Sequence, residues 1–425
     1  MLILYRFLTI LLSPLLTVYF SIRLIKGKED KHRFLERLGI TKQLRPTGKL
    51  IWFNAVSMGE INSAWTIIKK INKQNKYHIL ITTTTRTGTE TAMRKMKSLD
   101  FPEMVMHQYA PIDFSFSIRR FLKHWKPDLL INVESEFWPN IFTMTAKYCP
   151  IIVLNGKMSK KSFRFWYRFK SLRKKVFSNV DLCLAQSRND YKKFINLGLQ
   201  RVQFLGNIKF FVEKSSVDKK LYEKFLREVG DRPRWLVNCA HDNEEDIIVE
   251  THKKLKKLHP NLLTFLVARY PDKLEWTKKL LDQNDIKYVT TTQNSEIAKD
   301  IEFFIHDKYG DLGTFFDFCK IVFMGGSLRD GIGGHTPAEA IKHDCCVVTG
   351  PYIENNYMLF KELKDVDGCL MLEDNKSDTI FTSISYLLAN SEVVKRISGN
   401  AYTRSIKYSS VLNEMVDIIT DKLVR

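Results

Sequence analysis

The sequence predicts an α/β protein with two similar domains that face a cleft, preceded by an apolar N-terminal segment. Short apolar runs alternate with helical stretches in both halves of the chain, which is the pattern of βαβ units in parallel sheets. The length of 425 residues is sufficient for two domains of ordinary size. At two points a glycine and a carboxylate follow an apolar run, at the position where open α/β sheets bind ligands.

The predicted strands are short apolar runs of β-rich composition. In the first half they are 50–53, 79–81, 129–133, 151–154, 182–185 and 202–205, and in the second half 235–237, 262–267, 303–305, 321–324 and 346–348. Between the two series lies the charged stretch 213–234, which contains two adjacent serines. We predict that this stretch is the linker between the domains.

The N-terminal segment from Leu2 to Ile25 is mainly apolar, and two arginines and one proline interrupt it. A signal peptide is disfavoured because basic residues do not lead the segment and no small-residue cleavage site follows it. Its uninterrupted part, Phe7 to Ile22, is shorter than the roughly 20 residues of a membrane span. We predict a membrane anchor over residues 1–28 that spans the bilayer or lies in its interface. The alternative is the buried first helix of a soluble domain.

The composition limits the partners and the chemistry. The formal net charge is +20 and is spread along the chain, so a polyanionic partner is expected: nucleic acid, anionic lipid or a phosphorylated substrate. Seven cysteines without a C-x-x-C pair argue against a disulfide framework and against a zinc site. The sequence therefore predicts a reducing, cytoplasmic setting and no metal site.

A basic and aromatic segment covers residues 160–175, where five aromatic residues alternate with six basic ones in the stretch from Phe163 to Lys175. Such a segment could stack single-stranded nucleic acid. It suits a membrane interface equally well, with rings at the depth of the headgroups and bases against anionic lipid. An ordinary amphipathic helix with a solvated charged face is the third interpretation.

The first junction of strand and helix carries Ser57, Gly59 and Glu60 directly after the apolar run 50–53. Ser57 and Glu60 have the spacing of a capping box, in which the carboxylate only satisfies a backbone N–H. A carboxylate held at the end of a strand beside a glycine can also act as a general base. Both interpretations fit the local sequence.

Polar residues also follow two later strands of the first half. Glu134 and Glu136 leave the run 129–133, and neighbouring carboxylates raise each other's pKa. The alternative is that they only complement the dipole of a following helix. Lys209 follows the run 202–205 and is either functional or an ordinary solvated lysine.

The second junction is the glycine-rich stretch 325–334, followed by Pro337 and Glu339. A helix start with small residues before it can hold a phosphate, and Glu339 can reach ribose hydroxyls. The stretch lacks the third glycine of the dinucleotide fingerprint. It predicts a nucleotide site of another kind, with a plain glycine-rich turn as the alternative.

Five motifs in this order resemble the 3-deoxy-D-manno-octulosonic acid (Kdo) transferase family. They are VSMGE at 56–60, ESEFWPN at 134–140, NGKMS at 155–159, GNIKF at 206–210 and GGHTPAE at 333–339. The resemblance covers nearly the whole chain and implies a glycosyltransferase B fold. It implies that a Rossmann-like domain at 29–212 binds the acceptor and another at 235–425 binds CMP, and it allows the last helix to return to the N-terminal domain.

The resemblance also implies roles for individual residues. Glu60 matches the family's proton acceptor, and Glu134 and Lys209 match the groups assigned to transition-state stabilisation. The implied CMP contacts are Ala268, Arg269, Tyr309, Gly310, Asp311, Thr336, Pro337, Ala338 and Glu339. Further donor or acceptor contacts are expected among Ser57, Gly59, Glu136, Lys157, His241 and Asn355.

The activity implied is transfer of Kdo from CMP-Kdo to the lipid A precursor lipid IVA, without a cofactor or a metal. The expected partners are CMP-Kdo, lipid IVA and the anionic cytoplasmic surface of an inner membrane, and no nucleic acid. One rival is a soluble transferase or epimerase that uses a uridine nucleotide. The other is a basic protein without enzymatic activity that binds nucleic acid.

Overall fold

The computed structural model describes all residues except Lys28, Glu213, Asp242 and Arg425. Among the described residues it also describes the side chains, except those of Thr17, Ser21, Lys209, Asp272, residues 407–409 and Val424. The chain divides into two compact units. The first contains Met1–Ile208 and Ser410–Arg425, and the second contains Lys209–Ser409. Each unit has its own seven-stranded sheet in which all pairings are parallel, so the predicted pair of parallel-sheet α/β domains is confirmed.

The first sheet has the strand order β3-β2-β1-β4-β5-β6-β7. Its strands are β1 (Leu50–Asn54), β2 (His78–Thr83), β3 (Val105–Tyr109), β4 (Leu129–Val133), β5 (Ile151–Gly156), β6 (Leu182–Ala185) and β7 (Val202–Gln203). The helices of this unit are α1 (Leu2–Leu11), α2 (Ser13–Ile25), α3 (Met58–Lys73), α4 (Arg86–Met96), α5 (Ser115–Trp125), α6 (Pro139–Thr145), α7 (Lys160–Arg168), α8 (Lys170–Phe177) and α9 (Arg188–Asn196). Every residue of β1 and β4 is buried, as expected of continuous apolar strands covered on both faces by helices.

The second sheet has the strand order β10-β11-β9-β8-β12-β13-β14. Its strands are β8 (Arg234–Ala240), β9 (Leu263–Ala268), β10 (Tyr288–Thr290), β11 (Phe303–His306), β12 (Ile321–Met324), β13 (Cys346–Thr349) and β14 (Leu370–Met371). The helices are α10 (Lys219–Glu228), α11 (Glu245–Leu258), α12 (Glu275–Asp282), α13 (Leu312–Phe318), α14 (Ala338–Lys342), α15 (Tyr357–Lys364), α16 (Ser377–Ala389) and α17 (Ser391–Val424). Helix α17 begins in the second unit, and its part from Ser410 onward belongs to the first.

The structure shifts the division between the domains. The stretch 213–234, predicted as a linker, contains α10, and Phe225 on this helix is fully buried. The ring of Phe225 packs edge-on against Phe265 and Phe304, with centroids 5.2 and 5.1 Å apart. Burial of an aromatic side chain of this size fixes the helix to the second sheet. The predicted linker 213–234 therefore lies within the second unit, which begins at Lys209.

The apolar N-terminal segment forms two helices, α1 and α2, with a break at Leu12, and the predicted membrane anchor over residues 1–28 is not confirmed. Within the described residues no one helix is long and apolar enough to cross a membrane, and α1 and α2 pass that test only together, with a bend of 53° between them. The pair is held by polar contacts. Tyr5 donates a hydrogen bond to Asp113 at 2.8 Å, and Arg6 donates to Asn140 at 2.9 Å.

Candidate active site

Glu60 lies in the first turn of α3, and a short loop connects this helix to the preceding strand β1. The Ser57 hydroxyl caps the helix by accepting a hydrogen bond from the backbone N–H of Glu60 at 3.4 Å. The Glu60 carboxylate in turn accepts a hydrogen bond from the N–H of Val56 at 2.6 Å. The predicted cap is therefore present, and it holds a carboxylate that is only 7 % exposed at the carboxyl end of a central strand.

Glu134 lies at the carboxyl end of β4, the neighbour of β1 in the sheet. Its φ of 57° is unusual for a residue other than glycine, so the chain turns sharply as it leaves the strand. One carboxylate oxygen accepts hydrogen bonds from the Ser63 hydroxyl at 3.0 Å and from the Asn155 amide at 3.4 Å. The predictions do not include Ser63, which lies one turn after Glu60 on α3.

Glu136 completes what we call the carboxylate cluster, which consists of Glu60, Glu134 and Glu136. Its carboxylate accepts a hydrogen bond from the indole N–H of Trp138 at 2.6 Å. The pKa of Glu60 is raised from 4.5 to about 8, and burial is the largest cause, followed by the negative charges of Glu136 and Glu134. Such a pKa lies close to neutral pH, as an effective general base requires.

The remaining candidates of the first unit contact or adjoin residues of this cluster. Gly59 precedes Glu60 on α3, and Lys157 follows β5, where its N–H donates to the carbonyl of Glu134 at 3.4 Å. The Asn155 side chain accepts a hydrogen bond from the N–H of Ile208 at 3.3 Å. Lys209, the first residue of the second unit, follows in a short 3₁₀ turn, Ile208–Phe210, and its side chain lies outside the described part of the chain.

In the second unit the glycine-rich stretch connects β12 to α14. Gly333 and Gly334 have positive φ angles of 82° and 71°. A Cβ at Gly333 would lie 2.7 Å from the Asn355 side-chain nitrogen, so only glycine fits there. The Asn355 side chain also donates to the carbonyl of Ile332 at 2.6 Å. Asn355 thus holds the shape of this stretch.

A buried carboxylate absent from the predictions fixes the start of the same stretch. Glu244, only 1 % exposed, accepts hydrogen bonds from the N–H groups of Gly326 at 2.6 Å and Leu328 at 2.7 Å. It also accepts from the N–H of His241 at 3.3 Å. One carboxylate therefore joins the loop after β8 to the loop after β12, two neighbouring strands.

Two histidines lie against each other in these loops. The Nε2 atoms of His241 and His335 are 2.8 Å apart, and the rings are stacked with centroids 5.1 Å apart. Burial lowers the pKa of His335 to about 4, and the charges of His241 and Arg269 add to the effect. His335 is therefore neutral at neutral pH, and one ring N–H of the pair donates to the other ring.

The residues implied to contact CMP follow three strands of the second sheet. Ala268 ends β9 and is followed by Arg269, whose guanidinium lies 5.5 Å from the centre of the Tyr270 ring. Tyr309, Gly310 and Asp311 form the loop between β11 and α13. Thr336 and Pro337 follow the glycine-rich stretch after β12, and Ala338 and Glu339 begin α14. These loops all leave carboxyl ends of parallel strands, where nucleotides bind in such sheets.

Helix α14 has only five residues, so its dipole is small. The side chain of Thr336 accepts a hydrogen bond from the N–H of Ala338 at 3.4 Å. Asp311 forms an ion pair with Lys308 at 2.9 Å. Over the described residues, no group of three or more His, Cys, Asp or Glu side chains could hold a metal ion.

Comparison with known proteins gives a consistent result. Residues 32–212 match the family model described as 3-deoxy-D-manno-octulosonic-acid transferase. The chain is 32% identical to a 3-deoxy-D-manno-octulosonic acid transferase from Rickettsia bellii over 98% of both chains. It is 27% identical to the transferase of the same name from Haemophilus influenzae, over 99% of this chain and 98% of the other.

Solved structures at lower identity support the fold alone. A glycosyltransferase from Rickettsia africae superimposes with a TM-score of 0.58 at 13% identity, over 89% of this chain and 99% of the other. A UDP-GlcNAc 2-epimerase from Neisseria meningitidis superimposes with a TM-score of 0.55 at 14% identity, over 87% of this chain and all of the other.

Proposed function

The chain belongs to the 3-deoxy-D-manno-octulosonic acid (Kdo) transferase family, and from that premise we propose that it transfers Kdo from CMP-Kdo to the lipid A precursor lipid IVA. The observation that carries the proposal is Glu60, a buried carboxylate at the end of a central strand whose pKa is raised to about 8. A capping residue alone has no need of two further carboxylates beside it. A proton acceptor for a sugar hydroxyl does need neighbouring carboxylates, because their negative charges bring the pKa of the proton acceptor near neutrality.

In the proposed reaction Glu60 removes the proton of the acceptor hydroxyl as the new C–O bond forms. A sugar hydroxyl is a poor nucleophile at neutral pH, so a positioned base is needed. Ser63 and Asn155 hold Glu134 by hydrogen bonds, which keeps a second negative charge beside Glu60. Glu134 and Lys209 then act on the transition state, where the donor sugar develops positive charge and CMP develops negative charge.

The leaving group is proposed to bind in the second unit. Arg269 supplies positive charge for the phosphate of CMP, and backbone N–H groups in the first turn of α14 supply hydrogen bonds. Glu339 and the loop 309–311 offer acceptors for the nucleoside hydroxyls. Because these groups can neutralise the charge that develops on CMP, the proposed reaction requires no metal, and it should proceed in EDTA.

Membrane attachment on the cytoplasmic side of an inner membrane is part of the proposal. Helices α1 and α2 expose large apolar side chains such as Ile3 and Phe7 on α1 and Leu15 on α2, and exposed apolar surface of this kind is typical of membrane contact. Arg164 and Arg168 on α7 are exposed beside the aromatic residues Phe165 and Tyr167. Basic and aromatic residues together suit the headgroup region and a bisphosphorylated acceptor.

Mass spectrometry of lipid IVA tests the proposal, after incubation with the detergent-purified protein, a source of CMP-Kdo and EDTA. We expect mass increments of one or more Kdo units. An unchanged acceptor mass, with an active control enzyme working in parallel, would contradict the proposal. Competition of CMP and uridine nucleotides for the protein then tests the rival function: a uridine-dependent transferase or epimerase predicts that UMP or UDP competes better than CMP.

A further inference from the structure

We propose that a cavity in the first unit holds one acyl chain of the acceptor lipid while its sugar reacts at Glu60. The inference rests on the proposed function, because it names a subsite for the same acceptor. The cavity lies between the paired helices α1 and α2 and the carboxyl ends of β1, β2 and β3. Its volume is about 520 Å³, within the range of about 300 to 1,000 Å³ that is typical of small-molecule sites.

Most of the surface that lines this cavity is apolar. Leu16 and Phe20 line it from α2, and Val56, Ala110 and Ile112 line it from the loops after the strands. Helix α1 contributes Tyr5 and Thr9 to the lining, so α1 and α2 have a local structural role besides exposing apolar surface. An unbranched hydrocarbon chain fits a lining of this composition.

The charged side chains in the lining have hydrogen-bond partners within the first unit. Glu29 accepts hydrogen bonds from Arg23 at 2.7 Å and from Arg37 at 3.0 Å. Asp113 accepts from the Tyr5 hydroxyl at 2.8 Å and from the backbone N–H of Ile141 at 2.8 Å. Because Glu29 already pairs with both arginines of the lining, and the remaining charged groups, Asp113 and Glu136, are acidic, the lining does not favour a phosphate or a free carboxylate as occupant.

The cavity adjoins the carboxylate cluster through shared residues. Val56 lines the cavity and also donates its N–H to the carboxylate of Glu60. Glu136 belongs to the cluster and lines the cavity together with Trp138, its hydrogen-bond partner. An acceptor whose hydroxyl lies at Glu60 would therefore have an apolar site directly beside its sugar, where an attached acyl chain can enter.

The expected benefit of the subsite is orientation. In a micelle or a bilayer the acyl chain is already in an apolar environment, so its transfer into the cavity changes the hydrophobic free energy little. An acyl chain bound in the cavity instead fixes the position of the sugar relative to Glu60. This matters because small misplacements of a reacting group lower the reaction rate strongly. The cavity should therefore affect kcat/KM for acylated acceptors and leave unacylated acceptors unaffected.

Substitutions that fill the cavity from two different elements test this. Leu16→Trp fills it from α2 and Ala110→Leu from the end of β3, and Leu44→Trp is the control because Leu44 is 87 % exposed and lies outside the cavity. Each variant is assayed with lipid IVA and with the same bisphosphorylated disaccharide stripped of its acyl chains. We expect the two filling variants to lower kcat/KM for lipid IVA by roughly tenfold to a hundredfold, with the unacylated acceptor unchanged.

The unacylated acceptor also reports folding, since a misfolded variant would lose activity with both acceptors. Equal kcat/KM for lipid IVA in wild type and both folded filling variants would overturn the proposal. Wild-type protein that transfers Kdo to neither acceptor would instead contradict the proposed function, so the two failures are distinguishable.

Photo-crosslinking of the wild-type protein gives a second measurement that needs no variant. Lipid IVA with a diazirine at the end of one acyl chain should label peptides from α2 or from residues 110–114, and unlabelled lipid IVA should suppress the labelling. Labelling confined to other peptides would overturn the proposal. Equal labelling by a diazirine phospholipid, without competition by lipid IVA, would also overturn it and would identify a site for membrane phospholipid.

Discussion

After burial itself, the negative charge of Glu136 is the largest cause of the raised pKa of Glu60. Glu134 adds a smaller effect in the same direction, and the hydrogen bond from the N–H of Val56 opposes both. Glu60 follows β1 and Glu136 follows β4, and these two strands are neighbours in the parallel sheet. The sheet itself therefore brings the carboxylates of Glu60 and Glu136 together. This relationship makes the acidity of Glu60 adjustable by a residue that is not the base.

The pH dependence of transfer should report this relationship. A base acts only when deprotonated, so kcat/KM should rise with pH and reach half its maximum near pH 8. Glu136→Gln removes a charge that opposes ionisation of Glu60, so the midpoint of the profile should move to lower pH. Glu103→Gln, an exposed substitution in the turn before β3, should leave the midpoint unchanged. A midpoint that is the same in all three proteins would exclude Glu60 as the titrating base.

Glu60 should also reduce the stability of the protein at alkaline pH. Its folded-state pKa of about 8 lies above the ordinary value of 4.5, so the folded state holds its proton more tightly than the unfolded state. The contribution of Glu60 to the free energy of unfolding is therefore fully present below about pH 4.5, and it is lost as the pH rises towards 8. Glu60→Gln removes the loss, and we expect it to stabilise the protein by about 2 to 5 kcal/mol at pH 9.

Thermal unfolding at pH 5 and pH 9, at one heating rate, measures this effect. The Tm difference between Glu60→Gln and wild type should be small at pH 5 and clearly positive at pH 9. Glu103→Gln again serves as the control, because an exposed carboxylate has no comparable loss. Equal Tm differences at both pH values would show that the ionised carboxylate of Glu60 is not destabilising.

The basic residues of α7 and α8 should determine how the acceptor binds. Arg164 and Arg168 are exposed, and the guanidinium of Arg173 lies 5.3 Å from the centre of the Tyr167 ring. Substituting all three by Gln should raise the acceptor KM by roughly a hundredfold, since each basic residue near an anionic surface contributes about 1 kcal/mol and every 1.4 kcal/mol is a factor of about ten. The salt dependence of the acceptor KM should weaken as well.

A matched triple variant in the second unit controls for net charge alone. Lys219, Lys220 and Lys299 are exposed there, and their substitution by Gln removes the same three charges. Unchanged acceptor KM in the arginine variant, or an equal rise in both variants, would refute a specific role for α7 and α8.

Most strands of the two sheets are predictable because buried parallel strands are continuous apolar runs. β3 is not, since His107 and Gln108 interrupt its apolar pattern. In the structure the ring of His107 pairs with the Thr83 hydroxyl at 2.9 Å, and the Gln108 side chain accepts from the indole of Trp125 at 2.6 Å. These partners are distant in sequence, so the local pattern alone does not predict burial of the two residues.

The charged stretch 213–234 illustrates the opposite error. Its high charge suggests a linker, yet Leu221 and Phe225 have the spacing of one helical face, and Phe225 is buried on α10. Helical periodicity is the signal that would have identified this helix. Composition dominated the prediction because only a narrow stripe of α10 is apolar.

The candidate site divides in the same way. Glu60, Glu134 and Glu136 follow predicted strands, so sequence alone places them at one edge of a sheet. Ser63 and Glu244 were not predicted, since their roles depend on hydrogen bonds to residues 71 to 84 positions away. Only the folded chain brings such partners together.

The most direct test of the account is Kdo transfer by Glu60→Gln measured beside its affinity for CMP. Glutamine keeps the size and hydrogen-bonding capacity of the side chain but cannot accept the proton, so transfer should fall by roughly a hundredfold to ten-thousandfold. The Kd for CMP should match that of wild type, because the proposed nucleotide contacts lie in the second unit. Retained transfer, or a parallel loss of CMP binding, would contradict the assignment of Glu60 as the general base.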